Sequence, residues 1–244
     1  MLAGRLDRLA PPGPILDVGS GEGALLEALT ARGRAAVGLE QGDQAARSRL
    51  DVRPVEIVDF DDRPGEWAAV VFWHTLEHLR DPRRAISQAS RLLAPSGLLV
   101  IAVPNRDSWQ ARALKDRWLA LDLPRHLVHL PARALVEGVQ DCGLTIERIS
   151  YWRGGQVVFG WLHGLVSALP SHPNLYDAIR QTEARTETMS PTRRTTTLAA
   201  GTVLAPVAAT LAGAEVAARA GGSIYIEARK PARATGPARR SGSA

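Results

Sequence analysis

The chain has 244 residues, 45% of them apolar, enough for one sizeable domain with a real core or one domain carrying an insertion. Its single cysteine, Cys142, excludes an internal disulfide framework and any metal site built on paired cysteines, and fits a reducing, cytosolic setting. The net charge of +5 belongs to the end of the chain, where Arg229, Lys230, Arg233, Arg239 and Arg240 are accompanied by no acid; the remainder is near neutral and lacks the basic, aromatic-studded face of a nucleic-acid reader.

Residues 1–14 are too short and too broken by proline for a signal peptide, and the prolines at 11–14 mark the start of an ordered domain expected over 12–230. Residues 15–18, Ile-Leu-Asp-Val, form a short apolar run closed by glycines, the pattern of a buried parallel strand. A helix follows over 22–32, with Leu25, Leu26 and Leu29 at helical spacing and Gly33 at its end. Further strands are expected at 35–39, ending at Glu40; at 55–58, ending at Asp59; at 67–73; and at 98–103, closed by Pro104. Between them fall a short helix at 41–50 and one opened by Pro82, with Ile86, Ala89 and Leu93 on one face. The alternation predicts an α/β fold, Rossmann-like and doubly wound, around a mostly parallel seven-stranded sheet with right-handed crossovers.

The second half is less regular. Helices are expected at 108–121 and 131–142, and the last two strands at 144–152 and 223–229. Between those strands, residues 153–221 read as an apolar helical insertion. Its helical stretches, 156–169 and 198–217, are joined by a polar, Thr/Arg-rich link at 182–197. No window clearly reaches the roughly 20 unbroken apolar residues of a spanning helix; the nearest, 198–214, contains Pro206. Residues 231–244 read as a disordered basic tail.

The strongest local signal is Asp17-Val-Gly19-Ser20-Gly21-Glu-Gly23, between the first strand and the first long helix. Glycines there let the backbone turn tightly and approach a ligand with no Cβ in the way. Glu40 and Asp59 stand at the ends of the next two strands, which in a doubly wound sheet line one crevice at the carboxyl edge. A carboxylate at Glu40 can accept from two adjacent ribose hydroxyls, and Asp59 from an adenine amino group with Phe60 beside the base. Gly19-x-Gly21-x-x-Ala24 also satisfies a relaxed dinucleotide fingerprint, so an NAD(P)-dependent oxidoreductase is the rival. Asp17 opposes it, because a carboxylate there would face pyrophosphate, whereas beside a cationic sulfonium its charge is favourable. A non-catalytic nucleotide-binding module is the third alternative.

In order along the chain, ILDVGSGEG, VGLE, VDF, WHTLEHLRDP and LLAPSGLLVIAVPN resemble the successive motifs of class I S-adenosylmethionine-dependent methyltransferases, in the branch that includes ubiquinone-biosynthesis-type O-methyltransferases. The resemblance covers roughly residues 12–152 and the last strand, GGSIYIEARK. It implies methyl transfer from S-adenosylmethionine to a small acceptor, at oxygen. It implies too that Asp17, Gly19, Gly21 and Glu40, with Ser20 and Gly23, hold the methionine and ribose parts, that Asp59 and Phe60 hold the adenine, and that Trp73 joins the cofactor site. The chain departs from the pattern at Trp67-Ala68, where Phe-Asp is common, and in the length of sequence between the last two strands.

On the acceptor side, His126 and His129 stand in Leu123-Pro-Arg-His126-Leu-Val-His129, which resembles an element of the same branch; His126 is the first choice for a base, since imidazole titrates near neutrality. His74, Glu77 and His78 would share a helical face and are weak metal candidates; the expectation is no metal. Trp109, Trp118, Trp152 and Trp161, with the apolar insertion, point to a hydrophobic or lipid-linked acceptor. The insertion reads as a lid or homodimer contact first and a peripheral membrane contact second. The expected location is the cytoplasm.

Overall fold

The computed structural model of the chain describes residues 2–42, 50–180 and 189–232. Its centre is a sheet of seven strands: β1 (Ile15–Val18), β2 (Ala36–Leu39), β3 (Val52–Arg53), β4 (Trp67–Trp73), β5 (Leu93–Pro104), β6 (Thr145–Ser150) and β7 (Ser223–Arg229). Their spatial order is β3-β2-β1-β4-β5-β7-β6. The first five run parallel, and β7 lies antiparallel to both β5 and β6. β1 and β4 are buried along almost their whole length, so they are written as unbroken apolar runs instead of an alternation.

One face of the sheet packs Leu16, Val18 and Phe72 against α3 (Pro82–Leu92) and α5 (Ala132–Asp141), through Ile86, Ala89, Leu135 and Val139. The other packs Ile15, Ala69 and Val71 against α1 (Leu2–Leu9) and α2 (Ala24–Thr30), through Leu6 and Leu29. Ordered structure therefore begins before the prolines at 11–14, because α1 has an apolar stripe and a sheet face to bury it on. A third cluster joins α4 (Trp109–Leu114), α6 (Gly155–Ser167) and α8 (Pro191–Ala217) into a cap beside the sheet, with the short α7 (Leu175–Ile179) between α6 and α8. Fully buried Glu215 ties the cap together: it accepts from the backbone N–H of Gln110 (2.8 Å), the Gln110 side-chain amide (3.0 Å) and the Trp161 indole N–H (2.9 Å).

Several expected elements take a different form. The third strand lies at Val52–Arg53, and 57–59 is a 3-10 turn. Pro54 has no N–H to continue the ladder, so pairing with β2 ends there. The helix expected over 108–121 stops at Leu114, since Lys115 adopts φ +51°, and continues as two 3-10 turns. α8 starts at Pro191, seven residues before the expected apolar stretch. Ser190 caps it by accepting from the Arg193 N–H (3.2 Å), and Pro191 suits the first helical position. At 27 residues, with a mean hydropathy of 1.5 over its apolar window, α8 is long and apolar enough to cross a membrane by length and composition. The expected helix at 41–50 falls mostly outside the described residues, as does the tail from residue 233.

Candidate functional site

The carboxyl ends of β1, β2 and β4 open onto a crevice of about 450 Å³, lined by Val18, Gly19, Leu39, Glu40, Gln41 and Thr75, with Glu56, Ile57 and His78 on its far side. Its floor is made by the glycine turn. Gly19 sits at φ +75°, and its N–H and that of Ser20 both donate to the Leu39 carbonyl (2.7 and 3.1 Å), which locks the turn onto β2. The Thr75 hydroxyl donates to the Val18 carbonyl (2.7 Å), and its side chain occupies the space that a Cβ on residue 19 would need. Only glycine satisfies both the dihedral and the contact. Gly21 (φ +54°) aims its N–H at Glu40, donating to Oε2 at 2.7 Å, while the Gln41 N–H donates to Oε1 at 2.8 Å. Glu40 is thereby held rigid at the crevice wall. Each carboxylate oxygen can still accept a second hydrogen bond.

Asp17 lies behind the turn, 3% exposed. Burial, and after it the charge of Glu40, pushes its carboxyl up to about 7. Ser20 is also buried, and its hydroxyl has no partner. Gly23 caps α2 with φ +84°. Of these residues Gly19 and Glu40 line the crevice, while Asp17, Ser20, Gly21 and Gly23 lie in or behind the turn that carries Gly19. Asp59, Phe60 and Trp73, also expected at the cofactor, are not among the residues lining the crevice. Asp59 is exposed at the end of the 3-10 turn, and Phe60 is core, its ring 5.8 Å from that of Trp67. Trp73 packs with Tyr225 and beneath Arg153, away from the crevice. From the same segment Glu56 and Ile57 line the crevice instead, since β3 ends earlier than its apolar pattern implied.

A second cavity, about 780 Å³, adjoins the first, and His74 and Arg125 line both. Its walls come from the segment after β4, the 115–126 turns and the cap: Glu77, Trp118, His126, Phe159, His163 and Tyr176. His126 is 9% exposed, and its Nδ1–H donates to the Ala120 carbonyl (2.7 Å). A carbonyl only accepts, so in the neutral ring Nε2 keeps its lone pair. His129 instead donates from Nε2 to the Leu121 carbonyl (3.0 Å) beside Trp118 and does not line the cavity.

The triplet His74, Glu77 and His78 does not share one helical face. His74 adopts φ +56°, ahead of the 3-10 turn at Leu76–His78, and its Nδ1 pairs with Glu77 Oε1 at 3.2 Å. His78 turns the other way: its Nδ1–H donates to the Arg125 carbonyl (2.8 Å), and its ring meets that of His126 at 4.8 Å. The three groups that converge are therefore Glu77, His78 and His126, with ligand atoms spread up to 4.8 Å apart. Ligands of a tetrahedral ion at about 2.1 Å stand only about 3.4 Å apart, so this set would have to contract to hold one. Thr75, Gln41 and Arg125 belong to the site but carried no sequence signal beyond their nearness to motif residues.

Comparison with known proteins adds an independent finding. Residues 2–149 match the family model described as "Methyltransferase domain". The ubiquinone biosynthesis O-methyltransferase of Thiobacillus denitrificans is 30% identical over 153 residues, covering 56% of this chain and 66% of that protein. A probable S-adenosylmethionine-dependent methyltransferase of Mycolicibacterium smegmatis is 26% identical over 139 residues, 54% of this chain and 52% of that one. The chain thus spans about half to two thirds of the length of the curated relatives it matches. Among solved structures, a SAM-dependent methyltransferase from Archaeoglobus fulgidus superposes with a TM-score of 0.58 at 17% identity, over 94% of this chain and 93% of that one. The [4+2]-cyclase SpnF superposes at 0.55 and 21% identity, over 95% and 80%, so the shared fold alone does not specify the reaction.

Proposed function

The chain belongs to the methyltransferase-domain family, among the class I S-adenosylmethionine-dependent methyltransferases, and on that premise we propose that it transfers a methyl group from S-adenosylmethionine to an oxygen of a small, hydrophobic or lipid-linked acceptor. The observation that carries this reading is Glu40, clamped between the Gly21 and Gln41 amides at the wall of a crevice that opens into a second cavity. The residues present fit the cofactor. Glu40 would take the ribose hydroxyls, the Cβ-free turn at Gly19 and Gly21 leaves room for the amino-acid end, and the buried Asp17 carboxyl answers its positive charges. When bound, S-adenosylmethionine supplies a methyl group on a sulfonium, with a neutral thioether as the leaving group.

The protein's share is alignment and proton removal. The acceptor occupies the larger cavity, whose far wall is the cap. His126 takes the hydroxyl proton at Nε2, its ring held by the Ala120 carbonyl at Nδ1. No metal takes part in this reading. We place the enzyme in the cytoplasm, with the exposed side of α8 resting against a membrane that holds the acceptor.

The test is calorimetry with S-adenosylhomocysteine and with NADH, followed by turnover on a panel of phenols in excess chelator. Binding of the first ligand only, and turnover that survives chelation, support the reading. Binding of NADH alone, or turnover lost in chelator and restored by a divalent ion, overturns its respective part. For His126→Gln, kcat should fall about 10²–10⁴-fold with cofactor affinity intact. Turnover within a factor of three of the parent would remove His126 from proton transfer.

A further inference from the structure

A third cavity, about 330 Å³, opens between α1, the end of β4 and β6, and shares no lining residue with the two already described. Four arginines border it: Arg5, Arg8, Arg148 and Arg153. Among the described residues one carboxylate answers them, Glu227, which Arg5 pairs with directly and Arg148 faces from the paired position on β6. Arg5 Nη2 donates to Glu227 Oε2 at 2.7 Å, and the Tyr225 hydroxyl donates to Oε1 of the same group at 2.5 Å, so that acid is already neutralised. Among the described residues, Arg8, Arg148 and Arg153 form no ion pair.

Arg153 is the most constrained of them. Its guanidinium carbon lies 3.8 Å from the centroid of the Trp73 ring and 5.9 Å from that of Tyr225, and its Nε is buried without a hydrogen-bond partner. Desolvation pushes its pKa below the ordinary arginine value. Four guanidinium groups around one cavity against the single carboxylate of Glu227 leave an excess of positive charge, part of it on the partly desolvated Arg153. An anion entering would offset that excess and give the buried Arg153 Nε an acceptor. A carboxylate offsets a single charge; a phosphate group carries about −1.5 to −2 at neutral pH and three acceptor oxygens, matched to the planar fork of arginine. Trp152, 51% exposed at the rim, offers an apolar face to whatever the phosphate is attached to.

We infer that this pocket binds a phosphate group, carried as an ester on a ring-sized apolar substituent. The experiment is calorimetry on the full chain at fixed ionic strength, with phenyl phosphate and inorganic phosphate as probes. One saturable site is expected, tighter for phenyl phosphate. Arg153→Gln and the more exposed Arg148→Gln should each weaken it at least about tenfold, while melting temperature and S-adenosylhomocysteine affinity hold. Absence of saturable binding at millimolar phosphate, or equal binding by parent and both variants, overturns the site. Displacement of the probe by S-adenosylhomocysteine would put the anion at the glycine turn and overturn it too. Equal affinity for the two probes would replace the ester by free phosphate. Loss of S-adenosylhomocysteine binding in the parent chain bears on the methyltransferase reading alone.

Discussion

Replacing Glu40 with alanine should weaken S-adenosylhomocysteine binding by about 10²–10⁴-fold, because two hydrogen bonds to a charged acceptor, each contributing roughly 1.5–3 kcal/mol, disappear with one side chain. The loss has a second component. Glu40 also accepts from the Gly21 and Gln41 amides, so its removal frees the glycine turn that forms the crevice floor. The folded state should tolerate this, since the freed amides lie where water reaches them. Glu40→Gln should fall in between: its amide oxygen replaces only one of the two acceptors, and its NH₂ confronts a backbone N–H. Calorimetry with both variants, alongside their melting curves, measures each effect separately. An alanine variant that binds within threefold of the parent would show that the ribose is held elsewhere.

Asp17→Asn should stabilise the protein without ligand while weakening its grip on S-adenosylmethionine. The carboxyl rests at about 7 in the folded chain, against 3.8 for an exposed aspartate, because burial and then Glu40 disfavour its charge. Between those two values the folded state keeps a proton that the unfolded chain has released. Stability contributed by this group is therefore full near pH 4, falls as pH rises, and is spent above pH 7. At about 1.36 kcal/mol for each pKa unit, the ceiling on the penalty is about 4 kcal/mol, and asparagine of the same shape avoids it. The melting temperature at pH 8 should rise by several degrees, with the gain vanishing toward pH 4. Cofactor affinity should fall at least about tenfold at pH 8, where the lost charge would have faced a sulfonium and an ammonium. In the parent chain the same carboxyl makes affinity for S-adenosylmethionine drop as pH is lowered through 7, a proton competing with the cation. A variant no more stable than the parent at pH 8, or one with undiminished affinity, contradicts this account of Asp17.

The two effects are linked. A carboxylate kept costly in the empty protein is a reservoir that a cationic ligand draws on, which explains tolerance of an acid behind a glycine turn. The cap adds a different constraint. Glu215 joins α4, α6 and α8 through three hydrogen bonds that close only when all three helices are in place, so the acceptor cavity is assembled cooperatively.

What could be read from residue order alone was whatever is local. β4 and β7 match their expected bounds, and β1 does too, because strands buried on both faces must be apolar throughout. Gly19, Gly21 and Glu40 were legible as a constellation because tight turns and strand ends impose their chemistry on neighbouring positions. Burial and long-range contact were not legible. β3 pairs over only two residues at the sheet edge, too short to leave a pattern, and after its early end Asp59 closes a 3-10 turn and Phe60 packs in the core. His78 and His126 are 48 positions apart and meet only because the turn after β4 and the loop before α5 fold onto each other. Arg153 meets Trp73 across the sheet, and Glu215 finds Gln110 over a separation of 105 residues. Such meetings depend on how helices and strands stack, a property of the whole chain's packing that no short window of residues encodes.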